Sequence, residues 1–421
     1  MKNLGTLFGY EMKKLWRRPM AWIALILFSG GFVYYSAIPF YNYYGHTYTY
    51  TMPNGEVLSR AYTQEEQARF MLEAPRLLSG QPMDEEFFAK AEEHIPARLE
   101  DSDTTDREEL RRFVENQEQR DGYFFLVDPT WYGAYKTLVF KDWYLHRQDR
   151  IKWEFEQEWN HFTQEETAYW MQLEEQIQQP FIYEPTDGPN RLFDVLGTMG
   201  FFVSVLVALC VCELFSQERR AGTYPQIFSS RQGRGCLYLA KILAGSATSV
   251  LATAIGVGAV IAASLIRYGP WGWGAAIQLC LYVHSCSFPI TARQGILMLV
   301  ALVLVYALLC GAIISVVSMW SGSGVAALAV SAGLVGAQLL LLQQMWILEM
   351  ILGAVPVLQE ALAYLPVALV NAGLLTQKKL THFFGLTLNY LQAGVLVYLA
   401  VSVLLAAACW LGWRRKAVGR V

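Results

Sequence analysis

Long apolar runs, separated by short basic segments, occupy most of the chain, with one extended polar interruption after the first run. A helix needs about 20 apolar residues to cross a bilayer, and six stretches meet that demand: 20–38, 192–215, 237–266, 295–319, 324–342 and 392–413. A seventh, 346–370, is apolar but broken by Glu349, Pro356, Glu360 and Pro366. Ahead of the first run, Leu4, Leu7, Phe8, Met12, Leu15 and Trp16 recur at spacings of three and four, bordered by Lys13, Lys14, Arg17 and Arg18. That spacing predicts an amphipathic helix over residues 1–19, lying in the headgroup layer. Pro19 permits an elbow before the first crossing at 20–38.

The polar interruption, 39–191, also reads as helical. Short amphipathic segments are expected at Gln64–Leu78, Asp84–Leu99 and Thr104–Gln119. After Pro129, Ile151, Phe155, Trp159, Phe162, Tyr169, Leu173 and Ile177 follow a longer helical pattern until Pro180 stops it. These aromatics read as core or helix-pairing residues. The aromatic run Tyr41–Tyr50 suits a membrane–water boundary, where amphipathic rings settle.

Charge divides the 421 residues into two chemically different parts. Between Phe40 and Leu192 lie 30 of the 36 acidic residues but only 15 of the 33 basic ones, a net charge of −15. The remainder holds six acids and 18 bases, a net of +12. This split excludes a single soluble globule and a disordered chain. It also excludes a nucleic-acid binder, whose bases would line one face, whereas these punctuate apolar runs. Lys and Arg stay on the cytoplasmic side near span ends. Clusters precede the first run, follow the second (Arg219, Arg220, Arg231, Arg234) and follow the sixth (Arg414, Arg415, Lys416, Arg420). Six crossings place all three inside, whereas seven would expel the last. The expected fold is therefore an all-α integral membrane protein with six transmembrane helices. Both termini are cytoplasmic, including the tail 414–421, and 39–191 is a helical extracellular domain. The segment 346–390 becomes an outer re-entrant or interfacial region, and the five later crossings occupy 192–413. A bacterial cytoplasmic membrane is the expected location. The seven cysteines avoid the polar block; Cys280 and Cys286 flank a short loop, either as buried thiols or as a pair.

Catalytic signatures are scarce. The chain has no G-x-x-x-x-G-K-[ST], no H-E-x-x-H and no C-x-x-C, and its six histidines show no metal spacing. It is therefore expected to bind no cofactor or metal and to be no enzyme. Ionisable groups within a membrane are the default functional candidates. Asp194 and Glu213 sit near the two ends of the second run, while Gln338, Gln343, Gln344, Glu349 and Glu360 cluster near the outer end of the fifth and beyond. These last five can line a substrate path, or the glutamines can bond a neighbouring helix. No carboxylate or His falls at mid-membrane, which argues against self-powered transport.

The segment after the second run is the most informative. It reads Glu213-Leu-Phe-Ser-Gln-Glu-Arg-Arg-Ala-Gly-Thr-Tyr-Pro-Gln-Ile-Phe-Ser-Ser-Arg-Gln-Gly-Arg-Gly, with Lys241 opening the third run. It resembles the cytoplasmic loop of type-2 ABC-transporter permeases: an acidic–basic pair, a Gly-Thr-like turn, a short helix, and a Ser-Arg stretch before a Lys. Glu218, Arg219, Gly222, Thr223, Ser230, Arg231 and Lys241 match. The N-terminal elbow, the six crossings and the Phe383–Tyr390 stretch fit the same family. The resemblance implies that the loop 216–236 docks its short helix on a separate ATPase subunit, which uses ATP and Mg. Phe215, Tyr224, Ile227 and Phe228 would form an apolar docking ridge, and Arg219, Arg220, Arg231 and Arg234 its polar anchors. Two copies of the ATPase and a second permease chain, identical or different, would complete an exporter of an amphiphilic or hydrophobic substrate. The competing reading is a membrane sensor or scaffold whose acidic block binds a cationic ligand.

Overall fold

The computed structural model describes residues 4–37, 47–52, 54–94, 123–124, 126–127, 130–138, 140–157, 162–230, 235–352, 364–383 and 385–418. The chain divides into two compact units. One holds Met1–Ser36, Leu192–Ser264 and Ile296–Val421; the other holds Ala37–Arg191 and Leu265–Gly295.

The fold is mostly helical. Among the described residues six helices are long and apolar enough to cross a membrane. These spans are Pro19–Ala37, Asp187–Val211, Cys236–Tyr268, Ala292–Ser321, Gly324–Leu352 and Tyr390–Val418. The N-terminal helix Leu4–Trp16 stops two residues before the first span, which begins on Pro19. Proline suits a first helical position because it has no N–H to satisfy there. Trp22 Nε1 closes the elbow by donating to the Trp16 carbonyl at 2.8 Å, and the two rings meet edge to face. Further along, the Tyr35 hydroxyl donates to Asp194 at 3.0 Å and ties the first span to the second.

The fifth span runs to Leu352, about ten residues beyond its expected end, so it takes in Trp346 and Glu349. No capping or breaking residue intervenes before Gly353. Between it and the sixth span lie a short helix, Pro366–Leu369, a 3-10 turn, Ala372–Thr376, and a β-hairpin pairing Leu380–Phe383 with Leu386–Asn389. The Phe383–Tyr390 stretch thus holds the end of the first strand, the second strand and the first residue of the sixth span. Thr104–Gln119, Trp159 and Glu360 lie outside the described residues.

The second unit departs further from the expectation. Thr47–Thr51 and Val57–Ala61 pair as an antiparallel hairpin, turning through Asn54-Gly55, a dipeptide suited to tight hairpins. Tyr48 is buried in a core with Tyr62, Met71 and Phe124, and Tyr50 is buried against Tyr123; the earlier part of the aromatic run, 41–46, lies outside the described residues. Strand alternation turns every second residue inward, here both tyrosines. The helix from Gln64 ends at Glu73 because Pro75 forces a 3-10 turn, Ala74–Leu78. Glu85–Glu93 is capped by Asp84. The long pattern after Pro129 is several helices. Arg147–Glu156 ends at Gln157, which is extended, and Gln164–Glu174 begins afresh at a Thr163–Glu166 capping box. That Thr-x-x-Glu signal marks a new helix start.

Residues Leu265–Gly295, between the third and fourth spans, belong to this second unit. Leu279 joins Phe87, Phe88, Tyr144, Phe181 and Tyr183 in one core. Gly272 has φ +73°, and a Cβ there would meet the Pro185 carbonyl at 2.3 Å. Arg147, fully buried, holds the segment in place. Its guanidinium grips Glu174 in two-pronged fashion (2.9 and 3.0 Å) and donates to the carbonyls of His284 (2.8 Å) and Cys286 (2.6 Å). Cys280 and Cys286 are buried and are not joined in a disulfide, and burial pushes Cys280 well above the usual thiol range.

Candidate functional site

The segment after the second span folds as two short helices, Ser216–Arg220 and Tyr224–Ser229. Gly222 turns the chain between them at φ +66°, a conformation a side chain would resist. The Thr223 amide donates back to the Glu218 carbonyl at 3.1 Å.

At the centre of the site is Lys241, fully buried on the third span. Its ammonium donates to Glu218 Oε1 (2.5 Å), the Leu214 carbonyl (2.9 Å) and Glu11 Oε2 (3.0 Å). All three of its donors are thereby used. Lys14 also pairs with Glu218. Two cations and two carboxylates form a neutral cluster, as burial of charge demands. The cluster joins the N-terminal helix, the loop and the third span.

A second set of contacts flanks it. Glu213 pairs with Arg220 and, at 3.1 Å, with Arg18 at the elbow. Arg219 donates to the Ser321 carbonyl, at the end of the fourth span, at 3.1 Å. Lys14 and Arg18, expected at a lipid-facing border, turn inward because Glu218 and Glu213 offer them carboxylates.

The apolar side of the loop packs on the sixth span. Trp413 is fully buried, with the rings of Phe228 (4.9 Å), Phe215 (5.7 Å) and Tyr224 (5.9 Å) around it. The Tyr224 hydroxyl donates to the Phe215 carbonyl at 2.8 Å, and burial pushes its pKa up to about 12. This corrects the docking ridge expected from the sequence. Phe215, Tyr224 and Phe228 are buried against their own bundle, since Trp413 supplies an apolar partner within the chain. Only Ile227 of the four is partly exposed, next to exposed Pro225, Gln226, Ser229 and Ser230. Among the described residues the outward surface of the loop is therefore small and polar, framed by the exposed Arg219 and Arg220.

The structure thus brings together Glu213, Phe215, Glu218, Arg219, Arg220, Gly222, Thr223, Tyr224, Phe228 and Lys241. Arg231 and Arg234 lie outside the described residues. Four participants escaped the sequence pattern: Glu11, Lys14, Arg18 and Trp413. One signal was available for Glu11, which is among only six acids outside the polar block. Of the second candidate group, Gln338 is buried and donates to the Tyr306 hydroxyl of the fourth span at 3.0 Å. That is a helix-pairing contact. Gln343, Gln344 and Glu349 lie further along the same helix.

Comparison with known proteins bears on this arrangement. The profile described as ABC-2 family transporter protein matches residues 6–415. No match is found among curated proteins or among solved structures.

Proposed function

The chain belongs to the ABC-2 transporter family, and from that premise we propose that a separate ATPase drives it through the loop after the second span. It is a multi-pass membrane protein and a permease component of an ABC transporter. The cargo we propose is an amphiphilic or hydrophobic substrate, moved outward across a bacterial cytoplasmic membrane. Both termini and the loop face the cytoplasm, and 39–191 faces outside, because that orientation keeps the three basic clusters inside. Two ATPase copies hydrolyse ATP with Mg as their cofactor, and a second permease chain completes the path.

The observation that carries this reading is the buried joint at Lys241. A load applied to a flexible loop is lost in loop motion. Here the loop is fastened to the N-terminal helix by Lys14, to the third span by Lys241 and to the sixth by Trp413. Displacement of Tyr224–Ser229 is therefore passed to several spans at once. The exposed strip around Gln226 and Ile227 offers a small contact surface, and Arg219 and Arg220 offer charge for a partner's rim.

Cysteine placed at Gln226 tests the reading. Cross-linking to a co-expressed ATPase, together with labelling of Gln226→Cys only after the membrane is permeabilised, is expected. Labelling from outside intact cells would overturn it, and so would uphill transport by the isolated chain.

A further inference from the structure

The cluster at Lys241 and the rings around Trp413 fasten the loop to the N-terminal helix and to the third and sixth spans. The fourth and fifth spans are reached by a different contact. They meet at a turn of two residues, Gly322 and Ser323. The Gly322 amide donates back to the Ser318 carbonyl at 3.0 Å, and Ser323 Oγ accepts from the Ala326 amide at 3.4 Å as the fifth span opens. Both helices are bonded up to the turn, so a push on it moves their ends instead of being absorbed.

Arg219 reaches this turn. Its guanidinium donates to the Ser321 carbonyl at 3.1 Å. It also lies against Gly322, where a Cβ would stand 2.0 Å from Nη1 and 2.6 Å from Cδ. Glycine is thus required twice. Its φ is +66°, which a side chain resists, and the seat of the guanidinium has no room for one. The same corner rests on the stretch that leads out of the second span. Ser318 Oγ donates to the Cys212 carbonyl at 2.7 Å, and a Cβ on Gly324 would touch Glu213 Cγ at 3.4 Å.

The turn also borders a cavity of about 330 Å³, shared with Arg18 and Met20 at the elbow and Leu209 of the second span. Val325 and Leu328 continue its wall along the fifth span. Protein interiors are close-packed, with few voids larger than a water molecule. A cavity of this size beside a stiff turn is room for the fifth span to shift toward the elbow.

We propose that Arg219 is a positioning residue that carries displacement of the loop to the fourth and fifth spans through the Ser321–Gly322 corner, the cavity being the space into which the fifth span moves. This rests on the reading that an ATPase drives the loop, and it adds two spans to those the loop moves.

The link is tested first in the full chain alone, in nanodiscs. Arg219→Ala should speed amide exchange at 318–326 about tenfold, as loss of a hydrogen bond from a charged group allows, and leave 280–290 unchanged. Unaltered exchange at 318–326 overturns the proposal. Movement is then read by spin labels on Met20→Cys and Val325→Cys, which line the cavity from the first and fifth spans, in the complex with the ATPase that cross-links to Gln226→Cys. ATP with vanadate should shorten the distance between the labels. Gly322→Ala keeps the Arg219 charge but displaces it from the turn, so it should retain the cross-link and lose the shortening. Shortening that survives Gly322→Ala overturns the proposal and leaves the ATPase reading standing. So does a label distance that ATP leaves unchanged while Gly322 is in place. Absence of any cross-link at Gln226→Cys, with Gly322 in place, overturns the ATPase reading and the proposal with it.

Discussion

Lys241 and Arg147 are both fully buried cations, one in each unit, and they are fastened differently. Arg147 presents a rigid fork. It spends two prongs on a single carboxylate, Glu174, and the rest on two carbonyls of one segment. Lys241 presents a point charge on a flexible stem, and its three acceptors come from the N-terminal helix, the loop and the turn after the second span. A planar guanidinium fixes one geometry, whereas an ammonium tolerates its acceptors shifting around it. The arginine suits a static clamp on Leu265–Gly295. The lysine suits a joint whose parts must move together.

Breaking the joint should produce the largest effect. Lys241→Met leaves Glu11 and Glu218 buried without their shared cation, a loss of about 3–5 kcal/mol. Thermal unfolding of the purified chain in detergent should show a sharply lowered midpoint. Lys241→Met combined with Glu218→Gln should recover part of it, because removing a buried charge together with its partner costs less than orphaning one. A double variant no better than the single would separate the joint from the stability of the bundle.

Removing the apolar half of the attachment comes next. Trp413→Ala empties the space beneath Phe215, Tyr224 and Phe228, at about 3 kcal/mol or more for a buried aromatic. Hydrogen exchange across 215–230 should rise while Leu265–Gly295 stays protected.

The clamp gives a smaller, opposite pattern. Arg147→Lys keeps the charge but loses the two-pronged geometry and a carbonyl bond, about 1.5–3 kcal/mol. Exchange should rise in 280–290 and stay constant in 215–230. If both regions loosened together, the contrast between clamp and joint would fail.

The smallest effect is expected at an exposed cap. Thr63 donates its backbone and side-chain hydrogens to Glu66, which holds that carboxyl below the usual glutamate value. A lowered carboxylate pKa adds stability above the ordinary value, and that stability is lost as pH falls through the lowered one. Thr63→Ala should cost about 1 kcal/mol at neutral pH, and the difference from the unaltered chain should shrink in acid.

Much of the architecture was legible because membrane crossing is a local demand. Twenty apolar residues in a row need no partner to be recognised, and Pro19 announces the elbow on steric grounds. The loop was legible as a pattern, since Glu218, Gly222 and Lys241 lie close together in sequence. Its wiring was not. Glu11 and Lys241 are 230 positions apart, and no spacing rule reaches that far. Tyr224 and Phe228 were placed outward because a six-residue helix has too few turns for periodicity to tell its two faces apart. The hairpin at Thr47–Thr51 was missed because its alternating tyrosines satisfy two rules, a membrane-boundary belt and a half-buried strand.

Hydrophobic patterning alone thus determined the crossings, the elbow, the segregation of charge and the position of the loop, since each follows from the solvent preference of contiguous residues. Tertiary structure alone decided which charges pair, which aromatics turn inward and that Leu265–Gly295 joins the acidic unit. Those outcomes depend on which distant groups meet when the helices pack, and a buried charge or ring takes whichever partner lies within reach.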